Sequence, residues 1–155
     1  MISAIMPRLL LLVIVAGIMS GCEEKFESYY PSATAAAKAG VFDHGWLPGV
    51  LKPDVMNIRE WHDIASSEVR GRFALNERVL NSLQSACKPA MDVPRKTWSM
   101  PEWFPASIAR GDAVVHGMRI FRCDDFFVAV DTAAAAGYFW TKYPWGQNQQ
   151  VCCRP

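Results

Sequence analysis

Apolar and polar residues alternate from Glu68 to Leu75, with Val69, Phe73 and Leu75 set against Arg70, Arg72 and Ala74; Gly71 interrupts the apolar side. Successive side chains leave a strand on opposite faces, so this period of two predicts a half-buried strand. Behind it, Val79, Leu80, Leu83, Ala86 and Cys87 recur at helical spacing. Asn76 can cap this segment and Pro89 blocks its continuation, which predicts a helix over 77–87. Val114 to Cys123 and Phe126 to Asp131 are rich in strand formers and are separated by Asp124-Asp125, the pattern of a tight hairpin. Tyr138 to Tyr143, after a turn over Ala133 to Gly137, adds a further strand and completes a meander that the strand at 69–75 can join.

Between these elements the pattern is broken. Pro31-Ser32 opens an alanine-rich stretch that stops at Gly40, which predicts a short helix with a serine cap. Gly45, Pro48, Gly49 and Pro53 punctuate Val41 to Asn57, a loop held in order by Trp46, Leu47, Val50 and Leu51. Pro89, Pro94, Pro101 and Pro105 make Lys88 to Gly111 a connection with at most one helical turn, at 102–109, and with Trp98, Trp103 and Phe104 covering the core. The expected fold is α+β: a small antiparallel sheet of about four strands against one main helix, in a single compact domain over 31–155 stapled by disulfides.

The N-terminus has a different character. Eleven apolar residues from Leu9 to Met19 follow Arg8 and end in Ser20-Gly21-Cys22. A bilayer-spanning helix needs about 20 such residues, so the run is short for a permanent span. Small residues before a cysteine are the mark of a lipoprotein signal peptide over 1–21, with Cys22 as the acylated first residue of the mature chain; an uncleaved signal anchor is the alternative. Diacylglycerol plus palmitate would hold the product stably on a membrane. Residues 22–30 then read as a short tether. Glu23, rather than Asp, follows Cys22, which by analogy with Gram-negative sorting points to the outer membrane facing the periplasm.

Composition narrows the partners. Loss of residues 1–21 removes only Arg8 from the 16 basic residues, leaving 15 against 15 acidic ones. A chain without net charge has no electrostatic footprint for nucleic acid. The expected partners are the membrane, through the lipid, and an envelope protein; no small-molecule ligand is specified by the sequence. Six Trp, eight Phe and four Tyr all lie beyond residue 21, which makes either an aromatic core or an exposed aromatic groove.

Once Cys22 carries lipid, Cys87, Cys123, Cys152 and Cys153 remain, and an oxidising envelope favours their pairing. Neighbouring cysteines have α-carbons about 3.8 Å apart, below the usual disulfide range of about 4.4–6.8 Å. Cys87 and Cys123 are therefore each expected to bridge to one of the terminal pair. The competing arrangement bonds Cys87 to Cys123 and leaves Cys152 and Cys153 as a reactive pair.

The chemistry-bearing residues form no compact motif. His44, His62 and His116 have uninformative spacing, and no zinc signature, phosphate loop, dinucleotide fingerprint or nucleophile elbow occurs. No catalytic residue, metal ligand or cofactor is assigned. Arg59, Glu60, His62, Asp63, Glu68, Arg70 and Arg72 cluster in sequence and read chiefly as a solvated face with local salt bridges, with a ligand-binding role as the alternative.

Gly45-Trp46-Leu47-Pro48, followed by Leu51, Pro53, Ile58, His62-Asp63, Glu68 and Phe73, resembles a pattern of small bacterial envelope proteins of the YbbD-head type. The resemblance covers Tyr30 to Leu75 and, more loosely, Trp103 to Tyr143. It implies a compact domain of helix and strand, often lipid-anchored, and no reaction. Ala65 stands where the pattern frequently has Asp, so no carboxylate site is carried over.

The sequence thus leads to a lipid-anchored envelope protein acting as a binding or structural module, with Trp46, Trp61, His62, Asp63, Trp98 and Trp103 as the residues for contact. Two alternatives are an envelope hydrolase or metal-dependent enzyme using His44, His62 and nearby carboxylates, and a thiol-active factor using Cys152 and Cys153.

Overall fold

The computed structural model describes residues 25–52, 54–91, 93, 101–114 and 116–141. Seven antiparallel strands form one sheet: β1 (Lys25–Ser32), β2 (Met56–Asp63), β3 (Glu68–Ala74), β4 (Lys88–Pro89), β5 (Arg119–Cys123), β6 (Phe126–Asp131) and β7 (Ala136–Thr141). Their spatial order is β1-β2-β3-β7-β6-β5-β4. The meander of β5, β6 and β7, joined by β3, stands as the alternation predicts, and the Asp124-Asp125 turn closes the hairpin with Cys123 opposite Phe126. The sheet is nevertheless larger than the four strands expected.

β1, β2 and β4 account for the difference. Lys25–Ser32 pairs along β2, with Phe26 opposite His62 and Tyr30 opposite Ile58, so residues 25–30 belong to the sheet and not to a tether. In β2 the inward positions are Ile58, Glu60 and His62, all buried, so two of the three are polar and the hydrophobic alternation that announces a strand is missing.

Two cores result because both faces of the sheet are covered. On one face, Ile58, Val69, Phe73, Phe121, Val128 and Phe139 meet α1 (Ala33–Lys38), the loop from Val41 to Val55, and α2 (Glu77–Ala86). Ser32 caps α1 by accepting from the Ala35 amide, and Asn76 caps α2 by accepting from that of Val79 at 2.9 Å. On the other face Phe127, Ala129, Tyr138 and Trp140 meet Phe104 and Ile108, around α3 (Ala106–Arg110). Coverage on both sides explains why β6 and β7 read as nearly continuous apolar runs.

The sulfur pairing also differs from the leading expectation. Cys87 is bonded to Cys123, with α-carbons 4.8 Å apart. The chain leaves α2 directly into β4, and pairing of Lys88 with Arg122 sets the two cysteines abreast. Cys22, Cys152, Cys153 and Trp98, with the signal segment, lie outside the described residues. No helix among the described residues is long and apolar enough to cross a membrane.

Candidate functional site

β2 and the loop that precedes it build the site. Turns at Gly40 and Gly45, both left-handed at φ +75° and +72°, reverse the chain twice within six residues. The Trp46 amide donates to the Val41 carbonyl at 3.0 Å, and the His44 amide to that of Gly40 at 3.0 Å. A side chain at Gly45 would be strained in this conformation, whereas glycine adopts it freely. The result is that His44 and Trp46 are carried over the inward face of β2.

There the rings stack on one another. His62 lies on Trp46, with centroids 3.8 Å apart and 20° between the planes, and on Phe26 of β1 at 5.3 Å and 22°. His44 in turn stacks on Trp46 at 4.9 Å. A cleft of about 370 Å³ opens beside the stack, lined by His44, Trp46, His62, Asp63, Ile64 and Phe126.

Behind the rings sits an acid with no access to water. Glu60 is fully buried, its Oε1 lies 2.8 Å from Nδ1 of His62, and its Oε2 meets no hydrogen-bond donor among the described residues. Removal from water disfavours the carboxylate, and the charge of Glu27 adds to this, so the Glu60 pKa rises from 4.5 to about 8. Burial likewise pulls His62 below its ordinary value, opposed by the neighbouring Asp63 carboxylate. At neutral pH both groups are therefore uncharged and share one proton between Oε1 and Nδ1. A buried hydroxyl without an acceptor is costlier than an under-used carbonyl oxygen, which places the acid proton on Oε1, directed at Nδ1. The imidazole then keeps its own proton on Nε2, which has no partner among the described residues.

The opposite face of the same strands carries a second arrangement. Arg70 is buried, 2.5 Å from Oε2 of Glu68, and its guanidinium lies 4.4 Å from the ring centre of Trp61. Burial draws the Arg70 pKa down while Glu68 and Asp63 oppose the shift. Arg59 pairs with Glu27 and lies over Trp103 at 5.1 Å. A shallow hollow of about 720 Å³, lined by Tyr29, Asn57, Arg59 and Arg72, opens beside them.

The sequence candidates are therefore divided. Trp46, His62 and Asp63 share the cleft with His44, whereas Trp61 and Trp103 are half-buried on the other side, because adjacent residues of β2 point to opposite faces. The charged cluster is only partly a solvated face: Arg59 and Arg72 are exposed, but Glu60, His62 and Arg70 are buried. Glu60, Phe26 and Ile64 are additional members of the site. Their signal in the sequence is the spacing of Glu60 two residues from both Ile58 and His62. Among the described residues no three His, Cys, Asp or Glu side chains are placed to hold a metal ion.

Residues 24–74 match the family model of the YbbD head domain. This YbbD-head segment contains β1 to β3, α1, the Gly45-Trp46 loop, Glu60 and all four stacked rings, so the resemblance seen in the Gly-Trp-Leu-Pro and His-Asp residues coincides with the candidate site. β4 to β7, with Phe126 of the cleft, lie beyond the YbbD-head match. No curated protein and no solved structure matches the chain.

Proposed function

We propose that this chain is a cell-envelope lipoprotein, acylated on Cys22 and held on the outer membrane facing the periplasm, whose domain is a binding module. The observation that carries the reading is the cleft beside the His44–Trp46–His62–Phe26 stack, with His62 backed by a buried, uncharged Glu60. An aromatic wall beside the His62 Nε2–H donor and the Asp63 and Asp125 carboxylates suits a ligand that combines an apolar part with hydrogen-bonding groups.

A photoreactive amino acid at Ile64, on the rim of the cleft, tests the module in intact cells. A discrete crosslinked product that disappears in His62→Gln supports the reading; recovery of nothing but abundant lipoproteins counts against it. Labelled palmitate tests the anchor: incorporation should be lost in Cys22→Ser, and an unlabelled, freely soluble wild type would refute it.

The paired Glu60 and His62 also favour a second reading, an acid–base enzyme working at this cleft. One form of that reading uses a serine nucleophile, for which Ser67, lining the same cleft, is the residue at hand. Covalent capture of Ser67 by a fluorophosphonate would support it; no capture in the folded protein would remove it.

A further inference from the structure

The register of β1 fixes which end of the sheet is nearest the acylated residue. Lys25 pairs with Asp63, so the start of β1 lies beside the β2–β3 turn, residues 64–67. Only three steps of chain separate Cys22 from Lys25, a reach of about 10 Å even when fully extended. A lipid on Cys22 would therefore hold this end of the sheet against the bilayer, and no other.

That end carries two large apolar side chains in water. Ile64, at the tip of the turn, is 50% exposed, and Phe26, one residue into β1, is 46% exposed. Ile64 lines the cleft, and Phe26 stacks on His62, which forms part of its wall. The charges around them are Lys25, its cross-strand neighbour Asp63, and Asp125, which lines the same cleft from the β5–β6 turn, so one cation faces two carboxylates. A surface of this kind has no electrostatic preference for anionic headgroups and draws its affinity from apolar area.

We propose that Phe26 and Ile64 form a membrane-seating surface that inserts into the interface of a zwitterionic phospholipid bilayer and turns the mouth of the His62 cleft towards the lipid. This inference rests on acylation of Cys22, and it adds an orientation that acylation alone does not supply. A ligand of the cleft would then arrive from the membrane side, along the apolar wall of the cleft.

The test uses the acylated mature protein in phosphatidylcholine vesicles containing a small fraction of phosphatidylcholine with a diazirine in its acyl chain. After irradiation, labelled residues are mapped by mass spectrometry. Label concentrated on residues 25–27, 63–67 and 124–126, and at least about tenfold weaker on the far side of the domain around Met91, is expected from the transfer of two large apolar side chains. The Phe26→Ser, Ile64→Ser double variant, checked for an unchanged far-ultraviolet spectrum, should lose that label by a similar factor while keeping its lipid. Label spread evenly over the domain, or centred elsewhere on an acylated protein, would overturn the orientation and leave the anchor standing. Absence of lipid mass on Cys22 would overturn both.

Discussion

The ring of Phe139 lies across Gly71, its direct partner on the neighbouring strand: a Cβ on Gly71 would stand 2.0 Å from Cζ of Phe139. The relationship is reciprocal, since Phe73 covers Gly137 and a Cβ there would stand 2.0 Å from its Cζ. The two glycines provide the room in which Phe73 and Phe139 stack at 6.4 Å across β3 and β7. Gly71→Ala should therefore destabilise the fold by about 3 kcal/mol in urea denaturation, by overpacking. Gly49→Ala, with nothing within 4 Å of the new Cβ, should leave stability nearly unchanged.

Covalent closure by Cys87 and Cys123 spans 36 residues of separation. Loss of this link through Cys87→Ala with Cys123→Ala should lower the unfolding free energy by about 4 kcal/mol, from the added freedom of the unfolded chain. Peptide mapping without reductant should recover these two cysteines in one linked fragment. Fragments joining either of them to Cys152 or Cys153 would contradict the arrangement.

The buried acid makes stability depend on pH. Glu60 holds its proton up to about pH 8 when folded and releases it near 4.5 when unfolded. Between these values the folded state binds more protons, so stability falls as pH rises, by about 5 kcal/mol across the whole window. Glu60→Gln, uncharged at every pH, should abolish most of this fall. Urea midpoints at pH 5 and pH 8.5 provide the check: a large decline in the wild type and a small one in the variant.

His62 acts in the opposite sense. Its folded pKa lies below the ordinary 6.5, so the unfolded chain takes up the proton first and stability is lost as pH falls below that value. Unfolding measured from pH 7 to pH 5 in the Glu60→Gln background should isolate this acid-side decline, and His62→Gln should remove it.

Helix α2 supplies a smaller test. Asn76→Ala leaves the Val79 amide without its acceptor and should cost about 1 kcal/mol, while Asn76→Asp, which keeps the acceptor, should cost little.

The parts of this fold that announce themselves in the sequence are those in which chemistry and burial agree. β3, β5, β6, β7 and α2 bury apolar side chains at the spacing of their element, and each is recognisable within a few residues of its ends. β1 is hidden because it lies at the rim, where Lys25, Phe26, Glu27 and Tyr29 are all exposed and no apolar face forms. β2 is hidden for the contrary reason: Glu60 and His62 occupy core positions that alternation assigns to apolar residues. Of the site, Trp46, His62 and Asp63 are legible as residues, and the Gly-Trp-Leu-Pro pattern carries the resemblance. Their assembly is not legible, because it depends on the β1–β2 register and on the double reversal at Gly40 and Gly45.

The two rims of the sheet are unequal. β4 is two residues long and one of them, Pro89, has no amide hydrogen to offer, whereas β1 presents eight residues. Among the described residues, the margin long enough for growth of the sheet from one molecule into another is β1. Two copies joined there would turn their proline-blocked margins outwards, so self-association by this route would end at a closed pair and could not propagate into a fibre.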